Sequence, residues 1–241
     1  MFLRKISNEK YHEYNNITDA LFLGHLPKKS PYLVAIIGAG GKTTTLLNLS
    51  KELSVAGKKV LATTTTHMQA PKEWNIILSN DEKEIIKRAK ETHLVIAGTP
   101  GDRRGMKLMS ENVFKNVLPN FDFCIYEADG SRRHPIKTPA AYEPVILPNT
   151  DLLIVCTGVS AIGDTIENAC HRYELSSYQR DEIITPQIAA DIIKKGYGNY
   201  SIPTVFLFNQ ADSKADTKNA MLAAESFESV IISSYELRSG A

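Results

Sequence analysis

The chain has 241 residues, 43% of them hydrophobic and 23% charged, with 28 Lys and Arg against 27 Asp and Glu. That length suits one large α/β domain, or a domain with a small appendage, and allows a sizeable core. A formal net charge of +1 gives no bulk electrostatic basis for binding nucleic acid or an acidic membrane surface.

Other totals narrow the class. No apolar run approaches the roughly 20 residues that a spanning helix needs, so no membrane role is expected. Cys124, Cys156 and Cys170 have no paired spacing, and two of them lie in apolar runs. Small buried hydrophobes in a reducing compartment are expected, not a disulfide framework. The N-terminus, Met-Phe-Leu-Arg-Lys, continues polar without a signal-peptide pattern, so a cytoplasmic protein is expected.

Residues 1–31 are polar and lysine-rich, with one amphipathic piece near 17–23, and read as an N-terminal appendage. Two prolines at 27 and 31 make the following stretch a connector. The first strand is expected at 32–37, then a glycine-rich loop and a helix carrying Leu46, Leu49, Leu53 and Ala56, closed by Gly57. Strands follow at 59–64 and 74–78, a charged helix at 81–91, and a strand at 94–97. After a charged, glycine-containing loop at 98–107, a helix is expected at 110–118 and a strand at 121–126. A proline-rich segment spans 132–148, and 151–156 returns to strand. Residues 160–182 carry no clear period. Thr185-Pro186 is an N-cap and first-turn pair for a helix to 194; a strand at 203–208, a helix at 215–227 and a strand at 229–233 complete the chain. Short apolar strands alternating with helices predict an α/β fold of the three-layer P-loop type, a mostly parallel sheet with helices on both faces, over 32–241. Ligands in such sheets bind beyond the carboxyl ends of the strands.

The loop reads Gly38-Ala39-Gly40-Gly41-Lys42-Thr43-Thr44. Glycines let successive backbone N–H groups turn towards one anion, and the helix start adds unpaired donors and a positive dipole end. Lys42 then reaches the β/γ-phosphates and Thr43 takes magnesium. The longer loop pattern asks for glycine where Ile36 stands, so the match is to a shortened form. The alternative is a strand-to-helix turn that binds nothing. Three glycines cost conformational entropy there, and a lysine at a helix start opposes the dipole unless an anion is present.

Three further groups fall just after expected strands. Thr63 to Thr66 with His67 place hydroxyls and an imidazole at a strand end, although threonine also simply suits strands. His67 lacks a second histidine or cysteine at ligand spacing. Glu127 and Asp129 share one side of an extended backbone and are expected to hold magnesium, since two buried carboxylates without a cation would push one pKa up. Arg132 and Arg133 are candidate clamps for phosphate or an anionic substrate, while a lone His134 reads as incidental. Asn209-Gln210-Ala211-Asp212, with Ser233-Ser234 after the last strand, is close to the pair by which many GTPases read guanine. An aspartate can accept from both guanine N1–H and N2–H. Gln210 replaces the lysine of that pattern, and an ordinary turn explains the residues equally well.

In this order the motifs resemble the YqeC family, accessory proteins of selenium-dependent molybdenum hydroxylases. The resemblance runs over roughly 32–235 and rests on residues 38–44, 63–66, 127–132, 143–145, 158–163 and 209–212. The family usually has lysine at His67. The resemblance implies a nucleotide-binding P-loop protein acting in the biosynthesis or insertion of a selenium cofactor, with a molybdenum hydroxylase or its cofactor as partner. It does not fix the reaction. The loop is also similar to that of Mur ligases, which carry a strand-end glutamate for magnesium, though the chain is too short for their remaining domains. Ile37 stands where dimeric MinD/ParA-type ATPases carry a marker lysine, which disfavours that class.

The expected activity is a Mg-dependent nucleoside triphosphatase or phosphoryl-transfer enzyme using ATP or GTP. Gly38, Ala39, Gly40, Gly41, Lys42, Thr43 and Thr44 hold the phosphates, and Asn209 and Asp212 the base. Thr43, Glu127 and Asp129 hold magnesium, and Lys42, Asp129 and Arg132 carry the chemistry. Two alternatives are a nucleotide-gated chaperone, and a small-molecule kinase clamping its substrate with Arg103, Arg104, Arg132 and Arg133.

Overall fold

In the computed structural model the described residues are 1–7, 10–69, 75–102 and 105–234. The N-terminal elements are β1 (Phe2–Ser7), β2 (Lys10–Tyr14), α1 (Ile17–Phe22), β3 (Tyr32–Gly38), α2 (Lys42–Val55), β4 (Val60–Thr64), β5 (Met68–Gln69) and β6 (Ile76–Leu78). Then come α3 (Glu82–Glu91), β7 (Leu94–Pro100), β8 (Gly105–Lys107), α4 (Glu111–Val117), β9 (Phe123–Glu127), β10 (Ile136–Lys137) and β11 (Leu152–Gly158). The C-terminal part holds α5 (Ile166–Ala169), β12 (Cys170–His171), α6 (Pro186–Tyr197), β13 (Thr204–Asn209), α7 (Lys214–Ala224) and β14 (Val230–Ser233).

The main sheet runs β2-β1-β14-β13-β11-β3-β9-β4-β7-β8-β5, with β6 also on β7. From β14 to β7 and β6 all pairings are parallel, while β1, β2, β5 and β8 pair antiparallel at its two ends. The fold is therefore α/β with a mixed, mostly parallel sheet. Strand alternation divides the core in two. Val34 and Ile36 of β3 face Leu46, Leu49 and Leu53 of α2, while Leu33, Ala35 and Ile37 belong to the opposite cluster with α3, α4, α6 and α7.

β1, β2 and α1, expected within an appendage, extend this sheet by two strands and lay α1 beside α2. The cations that make the segment look solvated have structural partners. Arg4 donates to the Ala20 and Leu21 carbonyls at 2.6 and 3.0 Å, and Lys5 to the Ala224 carbonyl at the end of α7 at 3.0 Å. Cations suit helix C-terminal carbonyls, which no intrahelical donor reaches. The strand expected at 74–78 is seen as β6; its first residue, Trp74, lies outside the described residues, as do Arg103 and Arg104. Among the described residues no helix is long and apolar enough to cross a membrane.

Two short strands matter beyond their size. β10 and β12 form a separate parallel pair, with Ile136 opposite Cys170 and Lys137 opposite His171. This pair joins the segment after β9 to the segment after β11, just beyond the carboxyl end of β3.

Candidate functional site

β3 ends in a loop that only glycine can follow at three points. Gly38, Gly40 and Gly41 have φ of 90, 68 and 105°. A Cβ on Gly38 would lie 2.3 Å from the Cys156 carbonyl oxygen, and one on Gly40 would lie 2.1 Å from Gly158 N. Left-handed backbone and close approach thus both demand glycine. The loop is pinned by three amides: Ala39 N–H donates to Cys156 O, Gly40 N–H to His134 O and Gly38 N–H to Asp129 Oδ2. Helix α2 then begins without a side-chain cap at Gly41. In contrast, α3, α6 and α7 are capped by Asp81, Thr185 and Ser213. The open first-turn amides of α2 remain available to an anion.

Lys42 is buried at the start of that helix and donates to Gly38 O at 2.8 Å. Its ammonium lies 3.4 Å from Asp129 Oδ1 and 3.8 Å from Glu127 Oε1. Register explains the meeting, because Ile36 of β3 sits opposite Glu127 of β9. Thr43 donates its hydroxyl to Glu127 Oε2 at 2.9 Å. Burial pushes the Glu127 carboxyl up, against the opposing pull of Lys42 and the Thr43 hydrogen bond. Asp129 Oδ2 is saturated by Gly38 N–H, Lys137 Nζ at 2.9 Å and Tyr197 OH at 3.2 Å. Its Oδ1 is buried without a hydrogen-bond partner.

These donors fit a hard divalent cation. Hydroxyl and carboxylate oxygens are its ligands, and magnesium takes one or two carboxylates and keeps several waters. Asp129 Oδ1, without a hydrogen bond and 3.4 Å from the Lys42 ammonium, is the kind of atom a cation would satisfy. Among the described residues no cluster of three or more His, Cys, Asp and Glu side chains is built for a metal. A site of this donor set would therefore rely on its other ligands, phosphate included.

The structure brings Gly38 to Thr43, Glu127 and Asp129 together. Thr44 points outward and is exposed. The threonine run serves the backbone in part: Thr64 Oγ1 donates to Glu127 O and Thr65 Oγ1 to Val145 O. Thr63 and Thr66 keep buried hydroxyls without partners. His67 is exposed, beside Gly101 and Gly105. Asn209 is buried under the loop, donating to Gly40 O at 2.9 Å and Thr45 Oγ1 at 3.3 Å and accepting from Ser233. Asp212 accepts from Ser234 Oγ at 2.7 Å. Gln210, at φ 64°, is held by Ser160.

Four residues outside the sequence-derived site belong to it. Lys137, fully buried, bridges Asp129 and Glu143, and also donates to Gly130 O at 2.6 Å. Glu143 also pairs with Arg172, and Tyr197 reaches Asp129 from α6. Glu143 falls below the usual carboxylate range, because Lys137 and Arg172 outweigh its partial burial. A cavity of about 490 Å³ opens on the far side of Glu143, lined also by Thr138, Ser176, Tyr178 and Lys195.

Comparison with known proteins gives the family. The family model described as YqeC protein matches residues 34–174. The chain belongs to the YqeC family. The match is narrower than the resemblance expected over 32–235. It takes in the glycine loop, Glu127, Asp129, Lys137, Glu143 and Arg172, and ends before α6, Asn209 and Asp212. A curated relative, "Uncharacterized protein YqeC" of Escherichia coli (strain K12), is 30% identical over 154 residues, 61% of this chain and 59% of its own length. The chain thus spans about three-fifths of that YqeC relative.

Proposed function

We propose that this YqeC-family protein binds a nucleoside triphosphate with magnesium and acts as a nucleoside triphosphatase or phosphoryl-transfer enzyme. One observation carries the reading: buried Lys42 stands between an uncapped helix N-terminus and the paired carboxylates of Glu127 and Asp129. Without an anion this lysine leans on Gly38 O and two acids. A triphosphate in the P-loop of residues 38–44 would draw it away, leaving Thr43, Glu127 and Asp129 to hold magnesium. Bound there, the ion would neutralise phosphate charge and act as a Lewis acid.

The residues of the chain have separable tasks. Backbone amides at the start of α2 orient the phosphates, Lys42 offsets the charge that develops on the transferred group, and the saturated Asp129 Oδ2 fixes that carboxylate in place. Positioning and charge neutralisation suffice for phosphoryl transfer. Asn209 supports the loop from beneath, with Asp212 next to it as the candidate base reader. Family resemblance adds the setting: biosynthesis or insertion of the cofactor of selenium-dependent molybdenum hydroxylases.

Isothermal titration with ATP and with GTP, with and without magnesium, tests the reading. Micromolar binding that needs magnesium and disappears in Lys42→Ala is expected. No binding of either nucleotide would end it.

A further inference from the structure

Beside the β10–β12 pair lie an arginine and two imidazoles that the phosphate loop does not use. His134 and His171 stack with ring centroids 5.5 Å apart and planes 23° from parallel. Arg132, exposed, has no hydrogen-bond or ion-pair partner among the described residues, unlike Arg133, which donates to Gln69 Oε1 at 2.7 Å. Arg132 and Arg172 hold left-handed backbone, at φ 48 and 59°. Non-glycine residues persist there only when their surroundings impose it.

The positive field is not balanced locally. His171 is held down to about 4, first by burial and then by Arg172, Lys137, His134 and Arg132, all of which disfavour its charged form. Glu143 and Asp129 already neutralise Arg172 and Lys137. Among the described residues Arg132, His134 and His171 form no ion pair with an acid, while the acids nearest the pair are taken by Lys137 and Arg172. The shelf is also distinct from the phosphate cradle. It meets the cradle through the His134 main-chain carbonyl, which accepts Gly40 N–H, and not through a side chain of the shelf.

We propose that Arg132, His134 and His171 form a second anion site, which binds the oxyanion of the compound on which the nucleotide chemistry acts. This rests on the nucleotide reading above and names the substrate class: a small molecule bearing a phosphate-like or carboxylate group. Arg132 supplies charge-assisted hydrogen bonds to such a group and His171 one imidazole N–H; His134, whose Nδ1 donates to Ser131 O at 3.2 Å, supplies Nε2–H when its ring is protonated. In a phosphoryl transfer, an acceptor oxygen of that molecule would bond to the γ-phosphorus as the bond from phosphorus to the β,γ-bridging oxygen breaks. The nucleoside diphosphate leaves, and the acceptor's proton passes to water.

The test follows the His134 and His171 ring signals by NMR in the full-length protein. Inorganic phosphate and acetate are titrated, first alone and then with saturating magnesium and a non-hydrolysable ATP or GTP analogue, whichever binds. Saturable shifts of both rings by at least one anion, retained with the analogue present, are expected; the anion that shifts them identifies the group. Arg132→Gly, which tolerates the left-handed backbone, should weaken the anion at least tenfold. His134→Ala should do the same while analogue affinity stays within twofold. Loss of the response once the analogue is bound would assign the shelf to the nucleotide's own phosphates and overturn the proposal, as would no saturable response at all. Anion binding in a protein that binds neither analogue would sustain the shelf and sink the nucleotide reading alone.

Discussion

Lys137 Nζ lies 2.9 Å from Asp129 Oδ2, and both side chains are wholly out of solvent. The contact joins the end of β9 to β10 and gives Asp129 two unlike oxygens. One is saturated by Lys137, Tyr197 and Gly38 N–H; the other is bare and faces Lys42. A carboxylate fixed this way presents one oxygen in one direction, as a ligand to a cation must.

Lys137→Met should therefore be costly. Removing one partner of a buried ion pair leaves an uncompensated charge and typically costs about 3–5 kcal/mol. Here two carboxylates, Asp129 and Glu143, would lose the same ammonium, though Lys42 and Arg172 remain to each. Urea denaturation should show a loss of that order, and Lys137→Arg should recover little, because the buried site is shaped for a single ammonium. A loss below about 1 kcal/mol, the worth of an exposed pair, would contradict the role given to Lys137.

Glu127→Gln should separate stability from function. Burial raises the Glu127 carboxyl, so its charged form is the costly one. The folded pKa lies above the ordinary 4.5. The carboxyl's contribution to stability is thus fullest below 4.5 and drains as pH rises through the folded value. At neutral pH the neutral amide should raise the melting temperature of the nucleotide-free protein. The same change should abolish the magnesium dependence of nucleotide binding. In the wild type that dependence should strengthen as pH rises, because the proton and the cation compete for one carboxylate. A lowered melting temperature with magnesium dependence intact would refute this account.

Much of this was legible in residue order, for identifiable reasons. The glycines, Lys42, Thr43 and Glu127 are adjacent in sequence or sit at the end of an apolar strand, so local pattern carries them. The capping signals of α6 are equally local, with Thr185 accepting from Ile188 N–H. Lys137, Tyr197 and His171 were not legible, because each acts across the fold. Lys137 sits in a two-residue strand within a proline-rich segment, Tyr197 falls in the last turn of a helix, and His171 acquires meaning only beside His134. The strands β1 and β2 were hidden by lysine and arginine, which read as solvated until Arg4 is seen on the Ala20 carbonyl and Lys5 on the Ala224 carbonyl, each at a helix end.

The proposed guanine reading by Asp212 has a direct test. Asn209 is engaged with Gly40 and Thr45 beneath the loop, and Asp212 Oδ1 accepts from Ser234, so under the proposed nucleotide reading Asp212 is the residue to test. If the site reads guanine, GTP should bind more tightly than ATP in the wild type. Asp212→Asn should then weaken GTP at least tenfold and favour xanthosine triphosphate, whose C2 carbonyl suits an amide donor. Equal affinities for ATP and GTP, unchanged in Asp212→Asn, would make residues 209–212 an ordinary turn.

His171 predicts a pH dependence of opposite sign to that of Glu127. Its folded value is lowered from 6.5 to about 4, chiefly by burial and then by Arg172 and Lys137. Above 6.5 the ring is neutral in both states, and its contribution to stability is whole. As pH falls from 6.5 towards 4, the unfolded chain takes up a proton that the folded protein refuses, and stability drains. Urea midpoints at pH 7.5, 5.5 and 4.5 should therefore fall more steeply for the wild type than for His171→Asn, in which that proton is never bound. Glu127 and Glu143 titrate in both proteins, so the difference between the two slopes isolates the ring. Parallel slopes would show that His171 is solvated, and would remove one support for the proposed anion site beside the glycine loop.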